Sequence, residues 1–405
     1  MILAATTRLA EALLHGRLLL GGGGRLRSRM VLDGPPSRAA IWIHAASVGE
    51  LNSASVLIEA LAAAYPVLIT TNSETGLQRA RSGGWPAVLA PLDLPGALGR
   101  FLDAVRPRVA VTVEAELWPN RARLLAARGI PQVIVGARMS DRSARRWSRL
   151  PGLIRPILNN VAAVSAQDPD SEARLLALGL SARAVLPRLD LKLLAPARIV
   201  APAPAALRDR TVLAASTHPG EDEPILDAWL AAREGIADCR LILAPRHPDR
   251  ADQLAASLTA RGLAFGRRSA GAGDHALLLA DTLGEMALWY DRAGICITGG
   301  SLADHGGHTP WEPAAHGAAI LHGPHVANFA GSYAALDRAG AARRVDGASL
   351  PGALAALLAD PGETRRMGQA ARQVLDRRAG DPAPLLALIG NLVKSGGTSD
   401  ILQEG

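Results

Sequence analysis

From Ala39 onward the chain alternates short apolar runs with stretches of helical spacing, and it does so twice. Ala39–His44, Val67–Thr70, Val109–Val113, Val133–Val135 and Ala162–Ala166 read as buried strands. Leu51–Ala64, Leu77–Arg81, Leu98–Val105, Arg121–Arg128 and Ser171–Leu178 read as helices. Strands of continuous apolar character, each followed by a helix, predict a parallel sheet covered on both faces. The rhythm breaks at Leu194–Ala206, where Pro196, Pro202 and Pro204 stand among Ala and Val as in an inter-domain linker. It restarts with Val212–Ala215, Leu241–Ala244, Ala276–Leu279, Ile295–Ile297 and Ala319–Leu321, with Pro224–Ala232 and Arg250–Ala260 helical between them. The expected fold class is α/β, two doubly wound domains facing each other across a cleft. Ligands of such sheets bind outside the carboxyl ends of the strands.

Length agrees, since 405 residues correspond to two or three domains. Hydrophobic residues at 49% and charged residues at 20% exclude a disordered chain. Two cysteines, Cys239 and Cys296, are too few for a disulfide framework and imply a reducing compartment. The formal charge of +7 admits an anionic partner. Nucleic acid is not expected, because the arginines are dispersed and lack the interleaved aromatics of single-strand binders.

Residues 1–30 form a segment of their own. Arg8, Glu11, His15 and Arg17 interrupt the apolar stretch, so neither a membrane span nor a signal peptide is expected. Leu9, Leu13, Leu14, Leu18, Leu19 and Leu20 cluster, and Arg25, Arg27 and Arg29 follow the Gly21–Gly24 break. Such a helix suits either an anionic bilayer surface or the protein's own core.

Four constellations carry chemistry. Glu50 follows Ser47-Val48-Gly49 at the end of the first strand, as a general base or as a helix-start acid. Glu114 and Glu116 precede Pro119; two apart on an extended chain, they share one face, as reactive acids or as helix N-terminal ones. Pro245-Arg246-His247-Pro248 offers a guanidinium to a phosphate, or is an exposed basic loop. The glycine-rich run Gly299-Gly300-Ser301 opens towards Thr309-Pro310-Trp311-Glu312 and Asn328, with loop amides for an anion and Glu312 for ribose hydroxyls. Five histidines lie from His305 to His325, without the spacing of a zinc site. No Asp-x-Asp is read at a strand end near the cleft, and neither a metal nor a cofactor is expected.

In order along the chain, HAASVGE (His44–Glu50), TTNSETG (Thr70–Gly76), EAELWPN (Glu114–Asn120), ARMSDRS (Ala137–Ser143), AQDPDSEARLLALG (Ala166–Gly179), ASTHPGEDE (Ala215–Glu223), LAPRHPDR (Leu243–Arg250), DTLGEM (Asp281–Met286), GGSLADHGGHTPWEPAAHG (Gly299–Gly317) and GPHVANF (Gly323–Phe329) resemble the 3-deoxy-D-manno-octulosonic acid (Kdo) transferases of lipopolysaccharide assembly. The resemblance implies a GT-B glycosyltransferase that moves Kdo from CMP-Kdo to a lipid A precursor. It places the enzyme at the cytoplasmic face of the bacterial inner membrane, against an anionic surface. Residues 31–194 would bind the acceptor, 195–207 link, and 208–405 bind CMP-Kdo. Glu50 matches the family's base and Glu114 its transition-state carboxylate. Pro245, Arg246, Leu283, Gly284, Glu285, Thr309, Pro310, Trp311 and Glu312 match its nucleotide site, with Gly300, Ser301 and Asn328 added from the glycine-rich run.

The chain departs from the family at Ser73-Glu74-Thr75-Gly76, where T-P-T-G is usual, and at Gly136-Ala137-Arg138, where N-A-R is usual. Asp190 stands at the family's lysine, between Arg188 and Lys192. Two other readings are a GT-B enzyme for another nucleotide sugar and an inactive membrane-associated scaffold of the same fold.

Overall fold

In the computed structural model, residues 2–19, 23–114, 116–272 and 275–395 are described. The chain divides into two units, Met1–Ala195 with Ala379–Gly405, and Pro196–Arg378. The first is built on β1 (Ile41–His44), β2 (Val67–Thr71), β3 (Ala87–Leu89), β4 (Val109–Val113), β5 (Gln132–Ala137) and β6 (Val161–Ala166). They are ordered β3-β2-β1-β4-β5-β6, all parallel. The order reverses between β1 and β4, so both HAASVGE and EAELWPN leave the sheet at its switch point, where a crevice opens in doubly wound folds.

The second unit holds β7 (Thr211–Thr217), β8 (Arg240–Pro245), β9 (Gly266–Arg267), β10 (Leu277–Leu279), β11 (Ile295–Thr298), β12 (Ala319–His322) and β13 (Ala342–Arg344). Its order is β13-β12-β11-β7-β8-β10-β9, again all parallel. The switch point here lies between β7 and β11. Val212, Ala214, Leu241, Leu243, Ile295 and Ile297 bury one face. Leu213, Ala215, Ile242, Ala244 and Cys296 bury the other. Side chains alternate across a strand, so burial on both faces demands the unbroken apolar runs seen in the sequence.

The sequence reading missed β3, β9 and β13. These strands are two or three residues long. Two of them contain arginine, and Arg343 and Arg344 are exposed at the sheet edge, where charge discourages further pairing.

The second domain was expected to run from 208 to 405; instead the chain returns to the first unit from Ala379. The helix Ala383–Ser395 buries Leu385, Ile389 and Val393, packs on the helix Val48–Ala64 and on β4, and accepts Arg108 Nη1 at the Val393 carbonyl (3.2 Å). The expected linker is partly helical, with Leu191–Ala197 and Ala206–Asp209 at its ends.

The N-terminal helix Ile2–Leu19 divides its leucines. Leu14 and Leu18 pack with Met30, Leu94 and Ala97, while Leu9 and Leu13 are 64% and 68% exposed. Leu20 lies outside the described residues. Glu11 points inward and accepts the Gly96 N–H at 2.8 Å, with Arg100 Nη2 at 3.5 Å. The expected single apolar face is thus split, one side buried and one side open. Among the described residues no helix is long and apolar enough to cross a membrane.

Candidate active site

In the first unit the loop after β1 starts the helix Val48–Ala64 with a reciprocal cap. Ser47 accepts the Glu50 N–H (3.3 Å), and the Glu50 carboxylate accepts Ala46 N–H (2.7 Å) and Ser47 Oγ–H (3.3 Å). This cap differs from a capping box only in that the carboxylate reaches the amide one residue before the N-cap, and it likewise fixes the glutamate in the first turn. Glu50 is therefore the helix-start acid of one sequence reading, in the first turn after β1. Its carboxyl is nevertheless pushed up to about 7. Partial burial is the main cause, opposed by the Ala46 amide and reinforced by the charges of Glu114 and Glu116.

Those two acids do not alternate along an extended strand as expected. Glu114 takes φ +56°, a left-handed conformation uncommon for a residue with a side chain, and Ala115 lies outside the described residues. The turn breaks the two-residue period, yet both charges act on Glu50. Glu116 accepts Trp118 Nε1–H at 2.7 Å. His44 Nε2 lies 3.7 Å from Glu116 Oε2, beyond hydrogen-bond length, so that attraction acts through space. The neighbouring His44 ring and the Trp118 bond hold Glu116 below the usual carboxylate range, and burial holds His44 below its ordinary value against the pull of Glu116.

Asp93 sets the position of this loop. Its carboxylate accepts the N–H groups of Asn120 (3.1 Å) and Arg121 (2.8 Å) at the start of the helix Pro119–Ala127. The buried Arg121 guanidinium donates back to the Glu116 carbonyl. Asp190 accepts the Lys192 N–H at 3.2 Å, and Arg188 approaches Glu172 at 3.6 Å. Asp168-Pro169-Asp170 does follow β6, but Asp168 is spent capping the helix Pro169–Ala177 through Ser171 N–H (2.7 Å).

In the second unit the carboxyl ends of β7, β8 and β11 meet. Glycine permits the close approach, since a Cβ at Gly299 would collide with the Ser216 carbonyl. The loop amides expected to greet a ligand anion are instead held by Glu221, fully buried. Its carboxylate accepts Gly300 N–H (2.7 Å), Ser301 N–H (2.9 Å), Leu302 N–H (2.9 Å), Ala303 N–H (3.3 Å) and His218 N–H (2.9 Å). Gly300 and Ser301 therefore take an internal anion in place of a ligand's, which corrects the role expected for their amides. Asn328 is tied to the same run, its N–H on the Gly306 carbonyl (2.9 Å) and its side-chain amide on the His305 carbonyl (3.3 Å).

Arg246 is exposed beyond β8 and its N–H bonds the Thr217 carbonyl at 3.0 Å. Pro245 is buried at the strand end. Leu283 is 79% exposed, beside Gly284 at φ +81°. Glu285 is gripped by Arg268 Nη2 (2.6 Å) and Nε (3.0 Å), and these bonds with Thr282 hold its carboxyl down to about 2. Thr309 Oγ1 accepts the Trp311 N–H (3.3 Å), Pro310 caps the helix Trp311–Ala315, whose Trp311 is buried, and exposed Glu312 accepts Tyr290 O–H (3.2 Å).

Sequence reasoning missed Glu221, though it stands in ASTHPGEDE. It set no role for His44, and treated the histidines only as a zinc question. Among the described residues no group of three or more His, Cys, Asp or Glu is disposed to hold a metal ion.

The family described as 3-deoxy-D-manno-octulosonic-acid transferase (kdotransferase) matches residues 24–195. The 3-deoxy-D-manno-octulosonic acid transferase of Bordetella pertussis is 37% identical over 366 residues, 85% of each chain. That of Haemophilus influenzae is 34% identical over 374 residues, 87% of each chain. The C-terminal CMP-Kdo binding domain of WaaA from Acinetobacter baumannii is 33% identical, with a TM-score of 0.40, over 42% of this chain and 92% of that one. The UDP-GlcNAc 2-epimerase of Neisseria meningitidis, 11% identical with a TM-score of 0.52 over 90% of this chain and all of that one, shares the fold.

Proposed function

The chain belongs to the 3-deoxy-D-manno-octulosonic acid transferase family, and from that premise we propose that it is an inverting GT-B glycosyltransferase moving Kdo from CMP-Kdo to a lipid A precursor. The observation that carries the catalytic assignment is Glu50, a carboxylate fixed by its own helix cap yet raised to about 7. A base works best with a pKa near the working pH. Glu50 takes the proton of the acceptor hydroxyl as that oxygen bonds the anomeric carbon and CMP departs. One base on the acceptor side suffices, because CMP leaves as a phosphomonoester, so the configuration inverts. Glu114 stabilises the positive charge that develops on the sugar ring.

The second unit supplies the donor site in this reading. Arg246 pairs with the nucleotide phosphate, Glu312 holds ribose hydroxyls, and Leu283, Gly284 and Glu285 with Pro245, Thr309, Pro310 and Trp311 frame the nucleotide. Arg268 already neutralises Glu285, so that residue serves by holding its loop. Gly300, Ser301 and Asn328 act as scaffold. The exposed Leu9 and Leu13 with exposed Arg25 and Arg27 suit peripheral binding to an anionic membrane, whereas Arg29 is half-buried and donates Nε–H to the Ala90 carbonyl (2.9 Å); the face of the inner membrane expected is the cytoplasmic one.

Incubation of the protein with CMP-Kdo and lipid IVA, followed by mass measurement of the lipid, tests the assignment. Addition of Kdo is the expected result. No addition, or transfer from a UDP-sugar in its place, would overturn it.

A further inference from the structure

Four histidines converge at the carboxyl edge of the second sheet with no part in the reaction just described. His218 follows β7, His247 follows β8, and His305 and His308 follow β11. His218 Nε2 and His308 Nε2 are 2.9 Å apart. Their rings are inclined by 18° with centroids 5.1 Å apart, the geometry of two imidazoles joined edge to edge through one hydrogen bond. His305 stacks on the face of His218 at 4.2 Å, and His247 presents its edge at 6.0 Å.

A neutral imidazole carries one ring N–H. In an Nε2–H···Nε2 bond one ring spends that hydrogen as donor, which leaves its own Nδ1 bare, while the other ring offers its Nε2 lone pair and keeps its hydrogen on Nδ1. The neutral pair therefore holds one bare Nδ1. His218 follows an irregularity in the strand: the β7/β8 register shifts between Ala215 and Thr217, and Ser216 has φ +57°. Bulges of this kind recur beside active sites.

We propose that the His218–His308 pair, with Arg246 beside it, is a proton-linked anion site that receives the phosphate or carboxylate of the donor. The proposal rests on the donor reading above. The groups facing the pair are His305, stacked on His218, and His247, edge-to-face with it, Arg246, whose N–H bonds the Thr217 carbonyl just before His218, and Glu221, which accepts the His218 N–H. Glu221 is the single acid among them, and five backbone amides already hold its charge. An incoming anion therefore finds one fixed cation and a pair of imidazoles that hold a bare nitrogen in reserve. As it binds, one proton passes from the buffered solvent to the bare Nδ1 of the ring that donates. The imidazolium so formed keeps its Nε2–H bond to the other ring and balances the anion's charge. Burial first, then the neighbouring imidazoles and, at His308, Arg246 hold both histidines below their ordinary range in the free protein. The sign follows. Between that lowered value and the higher one of the anion complex, affinity rises as pH falls, by up to about tenfold per pH unit for one linked proton.

Calorimetric titration of the full-length protein with CMP at pH 7.5, in two buffers of different protonation enthalpy, reads the proton directly. Uptake approaching one proton is expected in the wild type. His218→Gln and His308→Gln each leave an amide that can donate or accept across the pair but cannot be protonated, so each should abolish uptake and flatten the dependence of Kd on pH. The imidazole nitrogen shifts of the wild type give a readout free of any folding defect, with one ring of the His218–His308 pair moving to the protonated position on CMP addition. Linked uptake with CMP or inorganic phosphate assigns the site to phosphate, and uptake with free Kdo alone assigns it to carboxylate. If CMP fails to bind while inorganic phosphate or Kdo still binds with uptake, the nucleotide reading falls and the anion site stands. Binding without uptake, uptake unchanged in both variants, uptake abolished by EDTA, or no binding of any of the three would overturn the proposal.

Discussion

A carboxylate that caps its own helix is ordinarily a stronger acid than a free one; Glu50 goes the other way because burial and two neighbouring acids outweigh the cap. Glu50→Gln should lower kcat about 10²–10⁴-fold while CMP affinity persists, and wild-type kcat/KM should fall with pH below about 7. The stability consequence has the opposite sense. Between the ordinary carboxyl value and about 7 the folded state binds the extra proton, so Glu50 loses stability for the protein as pH rises through that window. Discounted for solvent screening at a half-exposed site, the loss is about 1–2 kcal/mol. Thermal unfolding at pH 8 should show Glu50→Gln more stable than the wild type, and at pH 4.5 the two should converge. Glu221 is the counterpart without chemistry. Its carboxylate satisfies five amides across two loops, so Glu221→Gln puts an NH₂ donor against other donors. A loss of about 2–4 kcal/mol is expected in urea unfolding, with weaker CMP binding because the β11 loop is no longer held.

The N-terminal helix shows how one element serves two solvents. Leu14 and Leu18 fasten it to the first unit, and Glu11 meets the amide end of the helix Pro95–Val105 at Gly96, where a negative charge is favoured. Leu9 and Leu13 remain open. The double substitution Leu9→Asp/Leu13→Asp should leave the Tm within a few degrees and abolish co-sedimentation with anionic vesicles. Wild-type binding should weaken with added salt as the basic flank is screened. Vesicle binding unchanged in the variant would remove this helix as the contact.

The chain's path makes one unit dependent on its last helix. A protein ending before Ala383 loses the burial of Leu385, Ile389 and Val393, at about 1.5–3 kcal/mol each as an upper range. Its unfolding should show the first unit destabilised by several degrees while CMP still stabilises the second. Conversely, Arg246→Ala acts in the second unit alone, and steady-state kinetics should show a donor KM raised at least tenfold with the acceptor KM little changed. Equal effects on both would count against a phosphate contact.

The alternation of strands and helices, the break near Pro196 and the order of the motifs were legible in the sequence. Interior strands of a parallel sheet are buried on both faces and cannot hide among polar residues. The position of Glu50, in the first turn after β1, was legible for the same reason, since the segment after such a strand leaves the sheet at its carboxyl end. The edge strand Ala342–Arg344 was not, because one exposed side removes the apolar signature. Electrostatic partners were not legible either. Glu221 meets the amides of Gly300 and Ser301 from about eighty positions away, and His218 meets His308 across ninety. Periodicity reports the local chain, whereas the charge on Glu50, the filling of the glycine-rich loop and the pairing of two imidazoles depend on groups that only the folded sheet brings within a few ångströms. The home of the helix Ala383–Ser395 was decided the same way: its apolar face fits any core, and the groove between the helix Val48–Ala64 and β4 exists only once the first sheet has formed.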